Sequence, residues 1–328
     1  MPEKIYNWGI IGPGKIAQKF ANALKLTPRV NLGAVASRDI NKAKSFAQQF
    51  DCPVYYDNYL QLVKDPTIDA IYIATPHAFH LEQTRLCLEN GKAVLCEKPL
   101  TLSAAQVTTL MDIANQHQTF LMEAMWARFI PLTEAILKII KADEIGSVHY
   151  MKADFGFPAA PNPTGRLFNP ALGGGSLLDV GIYPIYLCTL LMGWPDKIHA
   201  TGRLSEQGID LDCHAFLQYK EMKTGVISSS IVYQTPITAE ITGTKGQIQI
   251  PCPWYKNNYF HLKKGDGDWE KISLPPMPNG FEFEIQEVTK CLDEGLIQSS
   301  TWPLTSSLQI ATIMDQIKQQ IGVIYNED

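Results

Sequence analysis

Ile5-Tyr6-Asn7-Trp8-Gly9-Ile10-Ile11-Gly12-Pro13-Gly14-Lys15-Ile16-Ala17 is the stretch that decides the fold. Its apolar half reads as a buried strand over Ile5–Ile11. Gly14–Leu26 reads as a helix, stopped at Thr27-Pro28 because a residue before proline is pushed out of the helical region. Between them stands Gly-x-Gly-x-x-Ala. Gly12 permits a tight turn, Gly14 lets an anion approach the backbone, and Ala17 lets helix and strand pack closely. The helix N-terminus favours that anion. A dinucleotide pyrophosphate suits such a loop, with Pro13, Lys15 and Ile16 lining it. A plain Gly-Pro-Gly turn and a methyltransferase-type fold remain alternatives on the motif alone.

Working outward, strand and helix patterns alternate to about residue 125, the signal for a parallel sheet with crossover helices. Further strands are predicted at Asn31–Ala36, Val54-Tyr55, Asp69–Ala74, Ala93–Cys96 and Thr119–Met122. Asp39 and Asp57 are placed to cap helices, Ser103 and Gln106 form a capping box, and Gly91 ends the helix from His80. Six strands with intervening helices make residues 1–124 an α/β Rossmann dinucleotide-binding domain.

Residues 125–328 read differently. A helix is expected over Pro131–Lys141, a strand over Val148–Phe157, and a loop rich in proline, glycine and asparagine over Pro158–Gly175. An apolar helix, Ser176–Met192, precedes several strands between Ile198 and Ile272, and helices near Phe283–Glu294 and Ser306–Ile321 close the chain. This is an α+β substrate-binding and dimerisation domain: a mostly antiparallel open sheet, with helices on one face and the other left for a partner subunit.

The bulk numbers narrow the classes. With 328 residues, two domains are the prior. A net charge of −5 gives no electrostatic case for nucleic acid or an anionic membrane. No apolar run is read as approaching the roughly 20 residues of a bilayer span. Met1–Trp8 lacks the pattern of a signal peptide. The seven cysteines form no Cys-x-x-Cys pair, so reduced thiols in a cytoplasmic protein are expected rather than disulfides or zinc.

The end of the second strand selects the cofactor. NAD enzymes usually place a carboxylate there to accept the ribose hydroxyl. Here the run is Ala36-Ser37-Arg38-Asp39, with Lys42 one turn on. Ser37, Arg38 and Lys42 offer donors to a 2′-phosphate, so NADP is expected over NAD. In the alternative, Arg38 is a solvated charge and Asp39 binds the ribose of NAD. Thr75-Pro76-His77-Ala78-Phe79-His80, after the fourth strand, is expected to wall the nicotinamide; its His-x-x-His is not read as a metal site, since no further ligands stand out.

Two more segments carry chemistry. Lys98, in Glu97-Lys98-Pro99, follows the apolar run Lys92–Cys96, so an ammonium is delivered to the carboxyl edge of the sheet, where open α/β folds bind ligands. Glu97 is read as supporting the loop. Gly173-Gly174-Gly175-Ser176-Leu177-Leu178-Asp179-Val180-Gly181-Ile182-Tyr183 sets Asp179 and Tyr183 four apart on one helix face. On the motif alone, a site and a core helix with a capping aspartate are equally good readings.

Glu97-Lys98-Pro99, the Gly-x-Gly-x-x-Ala start and the Gly-Gly-Gly-x-Leu-Leu-Asp-x-Gly-x-Tyr helix together resemble the Gfo/Idh/MocA oxidoreductase family over essentially the whole chain. Leu121-Met122-Glu123-Ala124-Met125-Trp126-Ala127-Arg128-Phe129 is similar to the branch containing the dimeric dihydrodiol dehydrogenases, also described as NADP-dependent D-xylose dehydrogenases. The resemblance implies a catalytic lysine at Lys98, a tyrosine at Tyr183 where many relatives have histidine, and an aspartate at Asp179. It implies Trp126 near the substrate, with Phe155 and Trp254 as further walls. Arg128 and Arg166 can each reach a substrate or form an ion pair. The lysine–proline bond is often cis in the family, and the second domain's sheet commonly builds a dimer.

The expected reaction is hydride transfer between nicotinamide and a cyclic secondary alcohol, either a pyranose sugar or a trans-dihydrodiol. A base must take the hydroxyl proton as hydride leaves. Tyrosine, with an ordinary pKa of about 10, needs a cation beside it to act so; Tyr183 is assigned that role and Lys98 is its electrostatic partner, with the reversed or shared assignment open because coupled groups titrate as a pair. Asp179 orients a substrate hydroxyl or Lys98. The rivals are an NAD-dependent inositol or polyol dehydrogenase of the same fold and a regulator that binds NADP without turnover.

Overall fold

The computed structural model describes residues 3–325. The two-residue start of Met1–Trp8 and the last three residues of the second predicted domain lie outside it. The chain divides into two compact units, one comprising Met1–Trp126 with Pro278–Leu308, the other Ala127–Met277 with Gln309–Asp328.

In the first unit, strands β1 (Tyr6–Ile11), β2 (Val30–Ala36), β3 (Val54–Tyr56), β4 (Ala70–Ile73), β5 (Ala93–Glu97) and β6 (Leu121–Ala124) form a six-stranded sheet in the order β3-β2-β1-β4-β5-β6. Every pair in it is parallel. That is the dinucleotide-binding order, which reverses between β1 and β4. Helices α1 (Lys15–Leu26), α2 (Ile40–Phe50), α3 (Tyr59–Lys64), α4 (His80–Glu89) and α5 (Ala104–His117) make the crossovers. The β4 and β5 residues are buried throughout, as continuous apolar strands covered on both faces should be. Phe20 of α1 stacks on Tyr72 at 3.7 Å and meets Trp8 edge-on at 5.3 Å, so one aromatic column joins helix to sheet. Each such fully buried side chain contributes about 1.5–3 kcal/mol.

The caps follow local chemistry. Asp39 accepts from the Asn41 and Lys42 amides and starts α2. The cap of α3 is Asn58 rather than the expected Asp57. Ser103 accepts from the Gln106 amide, while the Gln106 side chain reaches Leu102 N, one residue earlier than a standard capping box requires.

The predicted boundary falls close to the observed division at Trp126, but one assignment changes. Pro278–Leu308, read from sequence as part of the second domain, belongs with the first unit. Helix α8 (Glu282–Asp293) packs on α1 through its buried apolar face, which includes Ile285 and Val288. Tyr6 donates to Asp293 at 2.9 Å, and Arg29 holds the same carboxylate with both Nη atoms.

In the second unit, eight strands form one sheet in the order β14-β13-β12-β11-β7-β10-β9-β8. They are β7 (Val148–Gly156), β8 (Lys197–Leu204), β9 (Asp210–Gln218), β10 (Thr224–Ser230), β11 (Ala239–Gly243), β12 (Gly246–Ile250), β13 (Tyr259–Lys264) and β14 (Glu270–Ser273). All pairs are antiparallel except β7 with β10. Helices α6 (Pro131–Lys141) and α7 (Ile182–Met192) also lie here, and α9 (Leu304–Ile321) spans the division between the units.

The apolar stretch around α7 needs a correction. Pro170–Met192 is long and apolar enough by length and composition to cross a membrane, contrary to the sequence reading that no run comes near it. Inside the fold, 78% of its most apolar window is buried, and α7 packs against β7 and β10. This is the behaviour of a core helix, apolar all round because it is covered all round.

Candidate active site

The first unit presents a cofactor cradle at the carboxyl edge of its sheet. Gly12 has φ +87, and a Cβ there would lie 2.7 Å from Thr75 Cγ2 and 3.1 Å from the Ala74 backbone, so the turn admits no side chain. Gly14 differs: nothing lies within 4 Å of where its Cβ would be. It caps α1 without a side chain, so no side chain claims the first-turn N–H groups. Open space over uncapped amides fits a pyrophosphate. Pro13, Lys15 and Ile16 are all at least partly exposed around it.

At the end of β2, Ser37 is buried and its Oγ accepts from Asp39 N at 3.2 Å. Asp39 is engaged in capping α2. Arg38 and Lys42 are exposed, and the Arg38 guanidinium lies over the Phe79 ring at 5.1 Å.

The loop after β4 is tied to the lysine turn by His80. This residue has no exposure; its Nδ1 lies 2.8 Å from Pro99 O and its Nε2 2.9 Å from Thr75 O. Burial pulls its pKa down, the two carbonyls pull it up, and Lys98 pushes it down again. We take the ring as neutral because burial is the largest effect, so only one of the two contacts is a donated bond. Thr75 Oγ1 donates to Gln83 at 2.6 Å, and Pro76 leads into the turn of buried His77, whose ring meets His80 edge-on.

Lys98 follows β5 and is half-buried, and the Lys98–Pro99 bond is cis. Two buried carboxylates bracket the turn. Glu97 accepts from the Tyr72 phenol and, at 3.3 Å, from the Lys98 amide, as expected of a loop support. Glu123 accepts from Leu100 N at 2.8 Å and from Trp302 Nε1 at 3.4 Å. Trp126 is almost fully buried and packs edge-on against Phe281 at 5.4 Å.

The second unit holds an aromatic cluster. Phe155 of β7 stacks on Tyr255 at 4.4 Å with the rings 15° apart, and Tyr183 lies 5.6 Å from Phe155 and 5.5 Å from Tyr255. On the same helix as Tyr183, Asp179 is 6% exposed and accepts from Arg166 Nη1 at 2.7 Å. That helix opens as a π turn over Leu177–Gly181 before α7 begins, so the four-residue spacing is not that of a regular α-helix, as the sequence reading assumed. Such widened turns are frequent at functional sites.

Two of the substrate candidates make structural contacts. Trp254 is 3% exposed, and its Nε1 donates to Asp154 O at 2.9 Å; its neighbour Tyr255 is the ring that stacks in the cluster. Arg128 is spent on an ion pair with Glu134, in line with the structural alternative. Tyr255 was missed because Trp254–Lys256 is a short 3₁₀ turn, whose phase decides which aromatic faces inward. Among the described residues no group of His, Cys, Asp or Glu could hold a metal ion.

A parallel nucleotide fold with a lysine at its carboxyl edge, joined to a mostly antiparallel sheet domain, defines a class of nucleotide-dependent oxidoreductases. Residues 6–125 match the family model described as the Gfo/Idh/MocA oxidoreductase family, NAD-binding Rossmann fold, and residues 133–249 match the Gfo/Idh/MocA C-terminal domain. The chain belongs to the Gfo/Idh/MocA oxidoreductase family. It is 39% identical over 330 residues to the trans-1,2-dihydrobenzene-1,2-diol dehydrogenase of Xenopus tropicalis, covering 97% of this chain and 98% of that one. It is 36% identical over 333 residues to the Homo sapiens protein of the same name, covering 98% of each. In structure it resembles a 3-ketoreductase of Actinomadura kijaniata, solved with TDP-benzene and NADP, with a TM-score of 0.85 and 26% identity over 98% of this chain and 100% of that one.

Proposed function

We propose that this oxidoreductase is an NADP-dependent dehydrogenase of a cyclic secondary alcohol, either a trans-dihydrodiol or a pyranose sugar. The observation that carries the substrate class is the cluster of Phe155, Tyr183 and Tyr255 on the unit that also holds Asp179. Flat aromatic walls suit the face of a six-membered ring, and a phenol and a carboxylate suit its hydroxyls. The whole-length similarity to dihydrodiol dehydrogenases supports the same reading.

When bound, NADP accepts or returns the hydride at its nicotinamide. Gly12 and Gly14 hold the pyrophosphate against the amides of α1. Arg38 and Lys42 supply cationic donors to a 2′-phosphate, and Ser37 a hydroxyl; because Asp39 caps α2, the NAD alternative has less support. Tyr183 takes the substrate's hydroxyl proton, Lys98 stabilises the developing oxyanion, and Asp179 orients a substrate hydroxyl. Trp126 adds an apolar surface for the ring.

The protein is further proposed to form a homodimer through the outer face of its eight-stranded sheet, where Phe216 is 55% and Tyr150 36% exposed. Its unpaired thiols suit a reducing compartment such as the cytoplasm.

Fluorescence titration with NADPH and NADH, followed by turnover of trans-1,2-dihydrobenzene-1,2-diol and D-xylose with the preferred oxidised cofactor, tests the proposal. Tighter NADPH binding with turnover of either substrate supports it. NADH preference with polyol turnover moves the protein to the NAD-dependent polyol dehydrogenases, and binding with no turnover makes it a regulator.

A further inference from the structure

We infer that Asp210 is a positioning residue of the reaction: from the start of β9 it fastens the first turn of the helix that carries Asp179 and Tyr183. The inference rests on the dehydrogenase reading, in which those two side chains meet the substrate.

The helix needs an external fastening. It is entered through Gly173-Gly174-Gly175, the least rigid run possible, and Gly175 sits at φ +124. Its opening π turn leaves first-turn amides without intrahelical acceptors. Asp210, with no exposure at all, provides the acceptor. Its Oδ2 takes a bond from Leu177 N at 2.6 Å and one from Ser176 Oγ at 2.7 Å. Ser176 Oγ in turn lies 3.0 Å from Ser229 Oγ of β10, so two strands grip the same turn. The C-terminal tail closes over it, with Tyr325 OH donating to Gly174 O at 2.5 Å. A Cβ on Gly175 would lie 2.2 Å from Asp210 Oδ1 and 2.9 Å from the Tyr325 hydroxyl, so the packing here excludes even a methyl group.

The chemistry goes beyond a neutral cap. Asp210 Oδ1 is buried with no hydrogen-bond partner. An asparagine would accept the same two bonds through its one side-chain oxygen without the cost of a buried charge, so a carboxylate kept here is an expensive choice for holding shape alone. What the charge adds is strength: charge-assisted bonds are about twice as strong as neutral ones, and a helix N-terminus favours an anion.

The groups facing it are mostly neutral or already paired. From the tail comes the Tyr325 phenol, with Lys318 over its ring at 5.5 Å and itself paired to Asp315. From the helix turn and β10 come the two serines. Along β9 lie Asp212, paired to Arg203, and the Cys213 thiol. Burial pushes the Asp210 carboxyl up to about 7, against the lowering effect of its bonds from Ser176 and Leu177. The fastening therefore tightens as pH rises through neutrality, and the helix is held most firmly on the alkaline side.

The test uses the full-length enzyme with Asp210→Asn, Ser176→Ala and Tyr183→Phe in parallel. kcat with NADP and trans-1,2-dihydrobenzene-1,2-diol is followed from about pH 5.5 to about pH 9. Hydrogen exchange of the peptide over residues 176–183 is measured on the same samples, corrected for intrinsic rates. Wild type is expected to show a kcat inflection near pH 7 and rising protection of that peptide above it. Asp210→Asn should lose both, with kcat at alkaline pH down roughly 10-fold, the scale of a lost cap, and the KM for NADP unchanged. Ser176→Ala should move the inflection upward, because it removes a bond that favours the anion. An Asp210→Asn enzyme with wild-type pH profile and exchange overturns the inference. Full turnover in Tyr183→Phe removes Tyr183 from the acid–base role, no turnover by the wild type overturns the dehydrogenase reading, and in either case the exchange data still decide the role of Asp210.

Discussion

Arg166 holds Asp179: its Nη1 donates to Oδ1 at 2.7 Å, joining a loop residue that is half in solvent to a carboxylate that is nearly buried. The two residues differ in what their loss should do. Pairs with one exposed partner contribute only about 0–1 kcal/mol, so Arg166→Gln should lower kcat/KM by no more than about 5-fold. Asp179→Asn removes a group proposed to touch the substrate and should cost about 100-fold or more. Steady-state kinetics on both variants, with NADPH binding as the check on folding, settle the order. Equal losses would mean that the ion pair, not the carboxylate, is what the reaction needs.

Lys98→Met should lower kcat by at least about 100-fold, the scale of a lost acid–base or oxyanion group. The turn it sits on is held by bonds from Glu97, Glu123 and His80 to backbone groups that the substitution leaves in place, so NADPH affinity and the melting temperature should stay close to wild type. Near-normal turnover in this variant removes the lysine from the mechanism.

Arg38→Ala tests the cofactor. Hydrogen bonds to a charged group contribute about 1.5–3 kcal/mol, so NADPH affinity should fall roughly 10- to 100-fold. NADH has no 2′-phosphate, and its affinity should change about 2-fold at most, through lost packing of the guanidinium on Phe79. Fluorescence titration at fixed ionic strength reads both. Equal losses for the two cofactors would leave Arg38 with a packing role only.

Much of this architecture was legible in the sequence, and what was not has local causes. The first six strands could be read because runs such as Ile71-Tyr72-Ile73 and Val94-Leu95-Cys96 are apolar throughout, a pattern that follows from burial on both faces. The cap at Asp39, the tight turn at Gly12 and the place of Lys98 just after β5 were visible because each is set by immediate neighbours. The return of Pro278–Leu308 to the first unit was not, since α8 carries an ordinary amphipathic pattern that names no partner. The parallel pairing of β7 with β10 joins strands far apart in the chain, and alternation looks the same in either direction. The Arg166–Asp179 pair depends on how a glycine- and proline-rich loop folds back, which no periodicity reports. The π turn at Leu177–Gly181 has no compositional mark at all.

Trp254 and Tyr255 are adjacent aromatics with opposite expected effects. Trp254 is buried under β7, so Trp254→Ala should cost about 3–5 kcal/mol of stability and show as a large drop in melting temperature. Tyr255 stacks on Phe155 in the proposed substrate cluster, so Tyr255→Ala should raise the substrate KM about 10-fold, the value of a lost aromatic contact, and change melting far less. A reversal of these outcomes would return Trp254 to the substrate wall.

Glu284 gives a prediction in which the slope matters more than the level. It is fully buried on α8, and neither carboxyl oxygen has a hydrogen-bond partner. Burial first, then the nearby Glu97 and Glu282, hold its pKa well above the usual carboxylate range. In the unfolded chain the group ionises near 4.5, whereas in the fold it keeps its proton. Its favourable contribution is therefore complete below that value and is lost as pH rises toward the folded pKa, because the unfolded state binds fewer protons throughout that window. Glutamine cannot titrate. The stability of Glu284→Gln relative to wild type should consequently rise steadily from about pH 5 to about pH 8, whatever constant offset the amide introduces. Chemical denaturation at a series of pH values reads this difference directly, and a flat line would show that Glu284 is ionised in the folded protein and matched by a partner.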